Sequence, residues 1–334
     1  MAGGSALLSA PAAFAADDVP RVKLKLDAPA VIGSAGQPVE FTETVTNTGS
    51  KETNYRLYVH AITGEGLPAS DAIVIDYRDP AGGGWKSLKL SRFGEGRGAG
   101  YGAELPKALA IPAHRSVAVK LRIGLPMGRP HAGATNGGIP SLVLDSGVAG
   151  GAHGVPADRV SKTIKVQSPS PSVSRVPATA VAGGAPIEFD AVVKNSTPSN
   201  YVNVGNVLFV DPHATVQVRK PNGTWTTLKK VYDGIPGDNP GVYLQGRDSS
   251  LRANSTTTVR VRVSYDTTTP LGQTKLGQCL FVNESPTTPF RGTTSCGAGA
   301  TVQIVAPGAK GTKGTNGQPP VKTVPGTKGS TAGK

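Results

Sequence analysis

The sequence predicts an all-β protein built as two tandem antiparallel β-sandwiches with disordered termini. Three observations carry this. Gly 44 and Pro 28 make up about a fifth of the 334 residues while aromatics are only 5%, a composition of short strands joined by turns rather than of helices. Apolar residues alternate with a period of two and show no helical period. The stretch Gly36–Asn47 also returns as Gly184–Asn195, 148 positions later.

In the first copy of that stretch, Val39, Phe41 and Val45 share one face and Glu40, Thr42, Thr44 and Thr46 the other. Glu43 is the exception on the apolar face, and Ala191 replaces it in the second copy. Gly36 and Pro38 punctuate the start, and Asn47-Thr48-Gly49-Ser50 ends the strand with turn-forming residues.

Taken in order, Val22–Leu26 is a first strand and Ala28–Ser34 continues the edge. Tyr55–Ile62 and Ala72–Tyr77 are further strands, and the turn Asp79–Gly84 leads into Trp85–Leu88. Phe93–Gly102 reads as a Gly-rich surface loop. Val117–Ile123, Ser141–Leu144 and Ser161–Val166 complete the unit. Seven to nine strands over residues 19–167 suit a two-sheet sandwich.

The same order returns over residues 173–305. Asn206–Val210 matches Tyr55–Val59, and Lys220–Leu228 matches Asp79–Leu88 with Trp225 on Trp85. Leu251–Val263 matches Ile111–Ile123, Gln278–Val282 matches Pro140–Leu144, and Ala300–Val305 closes the unit. His114 falls on Asn254, which marks a turn position in both copies. Residues 168–172, a Ser/Pro run, are expected as a short stiff linker holding the modules as beads in line.

Residues 1–18 read as the remnant of a signal peptide. An apolar, small-residue run ends in Ala13-Phe14-Ala15, which places cleavage between Ala15 and Ala16; the run is too short to span a membrane. Export implies an oxidising compartment, where Cys279 and Cys296, the only two cysteines, form a structural disulfide. Residues 306–334 hold five basic and no acidic residues and no aromatic one, a disordered spacer by composition.

The net charge of +13 does not point to nucleic acid. Residues 1–168 carry 18 basic against 14 acidic residues and residues 169–305 carry 12 against 8, so over a third of the excess lies in the tail. No stacking or base-reading signature accompanies it. A basic tail is attracted to any polyanion, an anionic envelope included.

No motif carries catalysis. His60, His114, His131, His153 and His213 make no metal-ligand spacing, and no nucleophile elbow is present. Gly94–Gly100 does not join a strand to a helix, and Asp233–Asn239 lacks calcium-loop spacing. No cofactor or metal is expected. Glu40 and Glu188 are expected to be solvated, which argues against a buried carboxylate assisting a Lys–Asn cross-link. Trp85 and Trp225, each just past a turn, are the candidate ligand contacts; covering a sandwich edge is the alternative role.

The export signal, the two sandwiches, the hairpins Asp79–Trp85 and Lys220–Trp225 and the Lys/Thr/Pro/Gly tail together resemble exported or cell-wall-associated surface proteins of high-GC Gram-positive bacteria with tandem immunoglobulin-like (Ig-like) domains. Val324–Gly329 faintly resembles the sorting motif of such proteins, without the apolar span that follows it there. The resemblance implies a secreted or wall-associated, non-enzymatic protein displaying two Ig-like modules. Its expected partners are envelope or wall polymers, with extracellular proteins or glycans beside them, and neither nucleic acid nor a transmembrane span in this chain. Two other readings stay open: an adhesion module binding glycan or protein, and a hydrolase- or peptidase-associated protein with a dispersed site.

Overall fold

The computed structural model describes residues 21–63, 73–79, 82–125, 139–150 and 156–308. The expected cleavage site at Ala15 and Ala16 and the tail beyond residue 308 lie outside them.

The first module runs β1 (Val22–Asp27), β2 (Val31–Gly33), β3 (Val39–Asn47), β4 (Thr53–Ile62), β5 (Val74–Arg78), β6 (Trp85–Ser87), β7 (Ser91–Phe93), β8 (Gly100–Glu104), β9 (Leu109–Ile111), β10 (Ser116–Gly124), β11 (Ser141–Gly150) and β12 (Pro156–Gln167). A five-stranded sheet has the order β1-β3-β10-β5-β6. The facing sheet has the order β2-β12-β11-β4-β8-β7, with β9 also on β4.

The second module runs β13 (Ser170–Ser174), β14 (Thr179–Val181), β15 (Ile187–Asn195), β16 (Tyr201–Phe209), β17 (Ala214–Arg219), β18 (Trp225–Thr227), β19 (Gly241–Tyr243), β20 (Ser249–Leu251), β21 (Ser255–Tyr265), β22 (Gly272–Val282), β23 (Thr293–Cys296) and β24 (Ala300–Val305). Its sheets, β13-β15-β21-β17-β18 and β14-β24-β22-β16-β19 with β20 on β16 and β23 on β22, repeat the first plan.

Alternation decides which faces meet. Phe41 and Val45 of β3, Ile75 of β5 and Leu121 and Ile123 of β10 face Leu57 and Val59 of β4, Leu142 and Leu144 of β11 and Ile164 of β12. Each of these side chains is buried and stabilises by about 2 kcal/mol relative to exposure. Phe189, Ala191, Val261 and Val263 face Leu208, Leu276 and Val302 in the second module.

Four expectations are corrected. Ala28–Ser34 does not continue the first edge: β2 crosses to the other sheet and pairs parallel with β12, as β14 does with β24. The expected loop Phe93–Gly102 holds a short 3-10 turn, Gly96–Gly98, and the first three residues of β8. A Cβ at Gly100 would collide with the Ala61 carbonyl and one at Gly102 with the His60 ring. Glycine is therefore what lets this strand pair, and it leaves no alternation to read. The partner of Pro140–Leu144 is the front of β22, not Gln278–Val282: Leu142 lies opposite Ile164, and Thr274 opposite the corresponding Val302. Only Ser168 and Pro169 separate the modules, because Ser170 already begins β13.

The modules are joined by more than that dipeptide. The Gly33 amide donates to Ser199 Oγ (2.9 Å) and the Tyr201 hydroxyl to the Gln167 carbonyl (3.4 Å), while the Gln37 amide donates to the Asn200 carbonyl (2.7 Å). Ala35 of the first module packs into a cluster with Val193, Tyr201, Val204, Leu251, Leu280 and Val282 of the second. A Cβ at Gly33 would overlap the Tyr201 hydroxyl, and one at Gly36 would meet Ser199 Cβ at 2.5 Å. Both glycines are there for close approach.

Candidate functional site

Trp85 and Trp225 occupy the same place in their modules. Each opens the short strand after its hairpin turn and is half-buried on the outer face of a five-stranded sheet. Arg78 lies directly opposite Trp85 in the ladder, and Arg219 opposite Trp225; both arginines are exposed. From the next strand, the Arg122 guanidinium carbon lies 4.8 Å from the Trp85 ring centroid, and that of Arg262 lies 4.5 Å from the Trp225 centroid. Both distances are within cation–π range.

The overlying arginines are held from behind in the same way. Arg122 Nε donates to Asp76 Oδ2 (2.6 Å), and Ser87 Oγ donates to Asp76 Oδ1 (2.7 Å). In the second module Gln217 takes the place of Asp76: Arg262 Nε donates to Gln217 Oε1 (2.5 Å), and Gln217 Nε2 to Thr227 Oγ1 (2.8 Å). An Arg–Trp–Arg cluster with an anchored central guanidinium therefore stands once per module. The sequence marked the tryptophans. Arg78 and Arg219 immediately precede the marked hairpins, whereas Arg122 and Arg262 come from a strand that meets the tryptophans only in the fold, so no local pattern announces those two.

Inside the first sandwich, Glu43 is 0% exposed. Its cross-strand neighbours are Leu26 and Val119. Ser146 Oγ, from the opposite sheet, donates to Glu43 Oε1 (2.5 Å), and Oε2 is buried with no partner. Burial pushes the carboxyl up to about 7, against the opposing pull of the Ser146 hydrogen bond. In the second module the corresponding core site holds Ala191, with Gln278 donating to Asn206 Oδ1 (2.9 Å). Glu40 and Glu188 are exposed as expected, and Glu188 accepts from Arg260 (3.0 Å).

The outer faces of the larger sheets differ between modules. In the first, His60 Nδ1 lies 3.5 Å from Asp145 Oδ2 and Arg159 Nε 2.8 Å from Asp145 Oδ1. The His60 ring packs 4.7 Å from Phe93. This pair spans 85 positions and could not be read from spacing. Among the described residues no hydroxyl is bonded to His60. His114 and Asn254 both hold positive φ, 55° and 49°, which makes them turn residues as expected.

In the second module the connection 283–292 is folded over the sheet. Phe290 packs on Phe209 and Phe281, and a Cβ at Gly241 would meet its ring at 2.6 Å. Glu284 fastens this segment. It accepts from the Tyr243 hydroxyl (2.5 Å), from Arg247 Nε (3.1 Å) and from the Phe290 amide. Burial, then the Glu284 hydrogen bond and charge, push the Tyr243 hydroxyl above its usual range. The Cys279–Cys296 disulfide, as expected, ties β22 to β23 at the base of the segment. Among the described residues no group of three or more His, Cys, Asp or Glu could hold a metal ion, and no helix is long and apolar enough to cross a membrane.

No protein-family model matches the chain, and no curated protein matches it. Among solved structures it is similar to the C-terminal domain of the Streptococcus agalactiae AgI/II polypeptide BspA, at 9% identity and a TM-score of 0.37, over 84% of this chain and 99% of that one. It is also similar to red sea bream transglutaminase, at 12% identity and a TM-score of 0.30, over 86% of this chain and 32% of that one. AvmM, which catalyses macrocyclisation in alchivemycin A biosynthesis, aligns at 11% identity and a TM-score of 0.34, over 44% of this chain and 89% of that one. Likeness this distant assigns no activity to the chain.

Proposed function

We propose that the chain is an exported, non-enzymatic surface protein that holds two Ig-like modules as one stiff unit at the cell envelope, with its basic tail as the spacer. The junction is the observation that supports this reading. A flexible pair of beads needs neither Gly33 and Gly36 in close approach nor Ala35 packed into the neighbouring module's cluster. A display spacer needs both, because buried apolar contact and hydrogen bonds across a short connection hold one orientation where a bare Ser-Pro dipeptide would not.

Cell fractionation with surface proteolysis tests the location. The protein is expected in the wall fraction or the medium and accessible to protease added to intact cells; recovery in the cytosol, protected from that protease, contradicts the reading. The Arg–Trp–Arg clusters favour a second reading, a binding module.

A further inference from the structure

We infer that the two Arg–Trp–Arg clusters, Arg78/Trp85/Arg122 and Arg219/Trp225/Arg262, are paired binding sites for an anionic polysaccharide. The inference rests on the proposed extracellular setting only for where such a polymer is met.

The two modules differ at many outward positions and even inside, where Glu43 corresponds to Ala191. The sandwich core does not require a half-buried edge-strand tryptophan with one arginine opposite it and a second over its ring, yet both copies carry it at the same ladder positions. Asp76 has become Gln217 and Ser87 has become Thr227, while the hydrogen bonds that fix the central guanidinium persist. What is kept is the placement of the guanidinium over the ring rather than the identity of its support.

A guanidinium covers part of each tryptophan, the half-exposed remainder of the ring can meet the C–H face of a sugar, and an arginine offers a planar fork of N–H donors matched to carboxylate or phosphate. Arg122 and Arg262 spend Nε on the anchor, which aims the guanidinium without consuming its outer N–H groups. On the same face of the first module's sheet Lys23, Lys25 and Lys120 are exposed beside Asp27 and Glu40, with Glu40 directly opposite Arg122, so with Arg78 and Arg122 the basic residues outnumber these acidic ones there. The complementary ligand is therefore a chain of rings bearing repeated negative charge. One site per module, held apart by a packed junction, suits a repeating polymer, where two weak contacts add through effective concentration.

The test is binding of the full chain to fluorescently labelled polygalacturonate at low ionic strength, with dextran, linear polyphosphate and duplex DNA as comparison probes. Polygalacturonate is expected to bind at least tenfold more tightly than dextran, which lacks the charge, and than polyphosphate and DNA, which do not present a charged sugar face. The Arg78→Gln/Arg219→Gln variant changes two exposed residues and so leaves the cores intact, and it is expected to weaken polygalacturonate binding at least fivefold. Trp85→Ala/Trp225→Ala is expected to do the same where circular dichroism shows it folded. Equal binding of polygalacturonate, polyphosphate and DNA means attraction to the net charge and tail alone and overturns the proposal. Unchanged affinity in the arginine variant, or no binding of polygalacturonate, also overturns it while leaving the spacer reading standing.

Discussion

Glu43 carries the clearest consequence at the scale of a single residue. It is sealed between the sheets with one hydrogen bond and one unpartnered oxygen, and no charged group contributes to its shift. Unfolded, the carboxyl titrates near its ordinary value of 4.5, and folded near 7. Between those values the native state holds a proton that the unfolded chain releases. Glu43's contribution to the stability of the first module is therefore full below about pH 4.5, falls as pH rises to about 7, and is level above it. The cost of the charged form is on the order of 3 kcal/mol. Glu43→Gln should remove this slope and leave the module more stable at pH 8, read from urea midpoints across pH; an unchanged slope contradicts the assignment. The sequence had already set Glu43 apart as the break in an apolar alternation. Its partner was not legible, because Ser146 reaches it from 103 positions away.

At the scale of elements, the modules differ most in what covers the larger sheet. The second folds 283–292 over β16 and β22 and fastens it twice, through Glu284 and through the disulfide. Removing the disulfide with Cys279→Ser/Cys296→Ser, a loop of 17 positions, should cost about 3 kcal/mol. The loss should appear as a lower midpoint for the second module alone. Phe290→Ala, which empties the slot beside Gly241, should cost about 3 kcal/mol in the same transition. A shift in the first module's transition instead would mean the elements are coupled differently. The long strands β3, β10, β15 and β21 and their sequence order were legible because their apolar residues recur at alternate positions, with Glu43 the one break; which strands pair in a sheet was not. The short strands β7, β8, β19 and β20 were not, being rich in glycine or only three residues long. The front of β22, Gly272–Gly277, also lacks alternation, which is why its match slid along to Cys279–Val282.

At the scale of the molecule, the duplication was visible and the junction was not. Gly36 and its counterpart Gly184 both stand before a strand, so each reads as turn punctuation. Only the fold brings Gly36 and Gly33 against Ser199 and Tyr201. Position 33 is Val181 in the second copy. Gly33→Leu should therefore separate the modules without unfolding either: both unfolding transitions persist while the radius of gyration in solution rises. Loss of the first module's transition would show instead that Gly33 is needed for folding.

The stiffness of that junction is best measured as a distance. Spin labels at Lys89→Cys and Lys229→Cys, exposed and equivalent positions on the two modules, would report it by pulsed electron resonance. A single narrow distribution that broadens in the Gly33→Leu background is the predicted result. A broad distribution in the otherwise unaltered chain would contradict the two-module unit on which the proposed function rests.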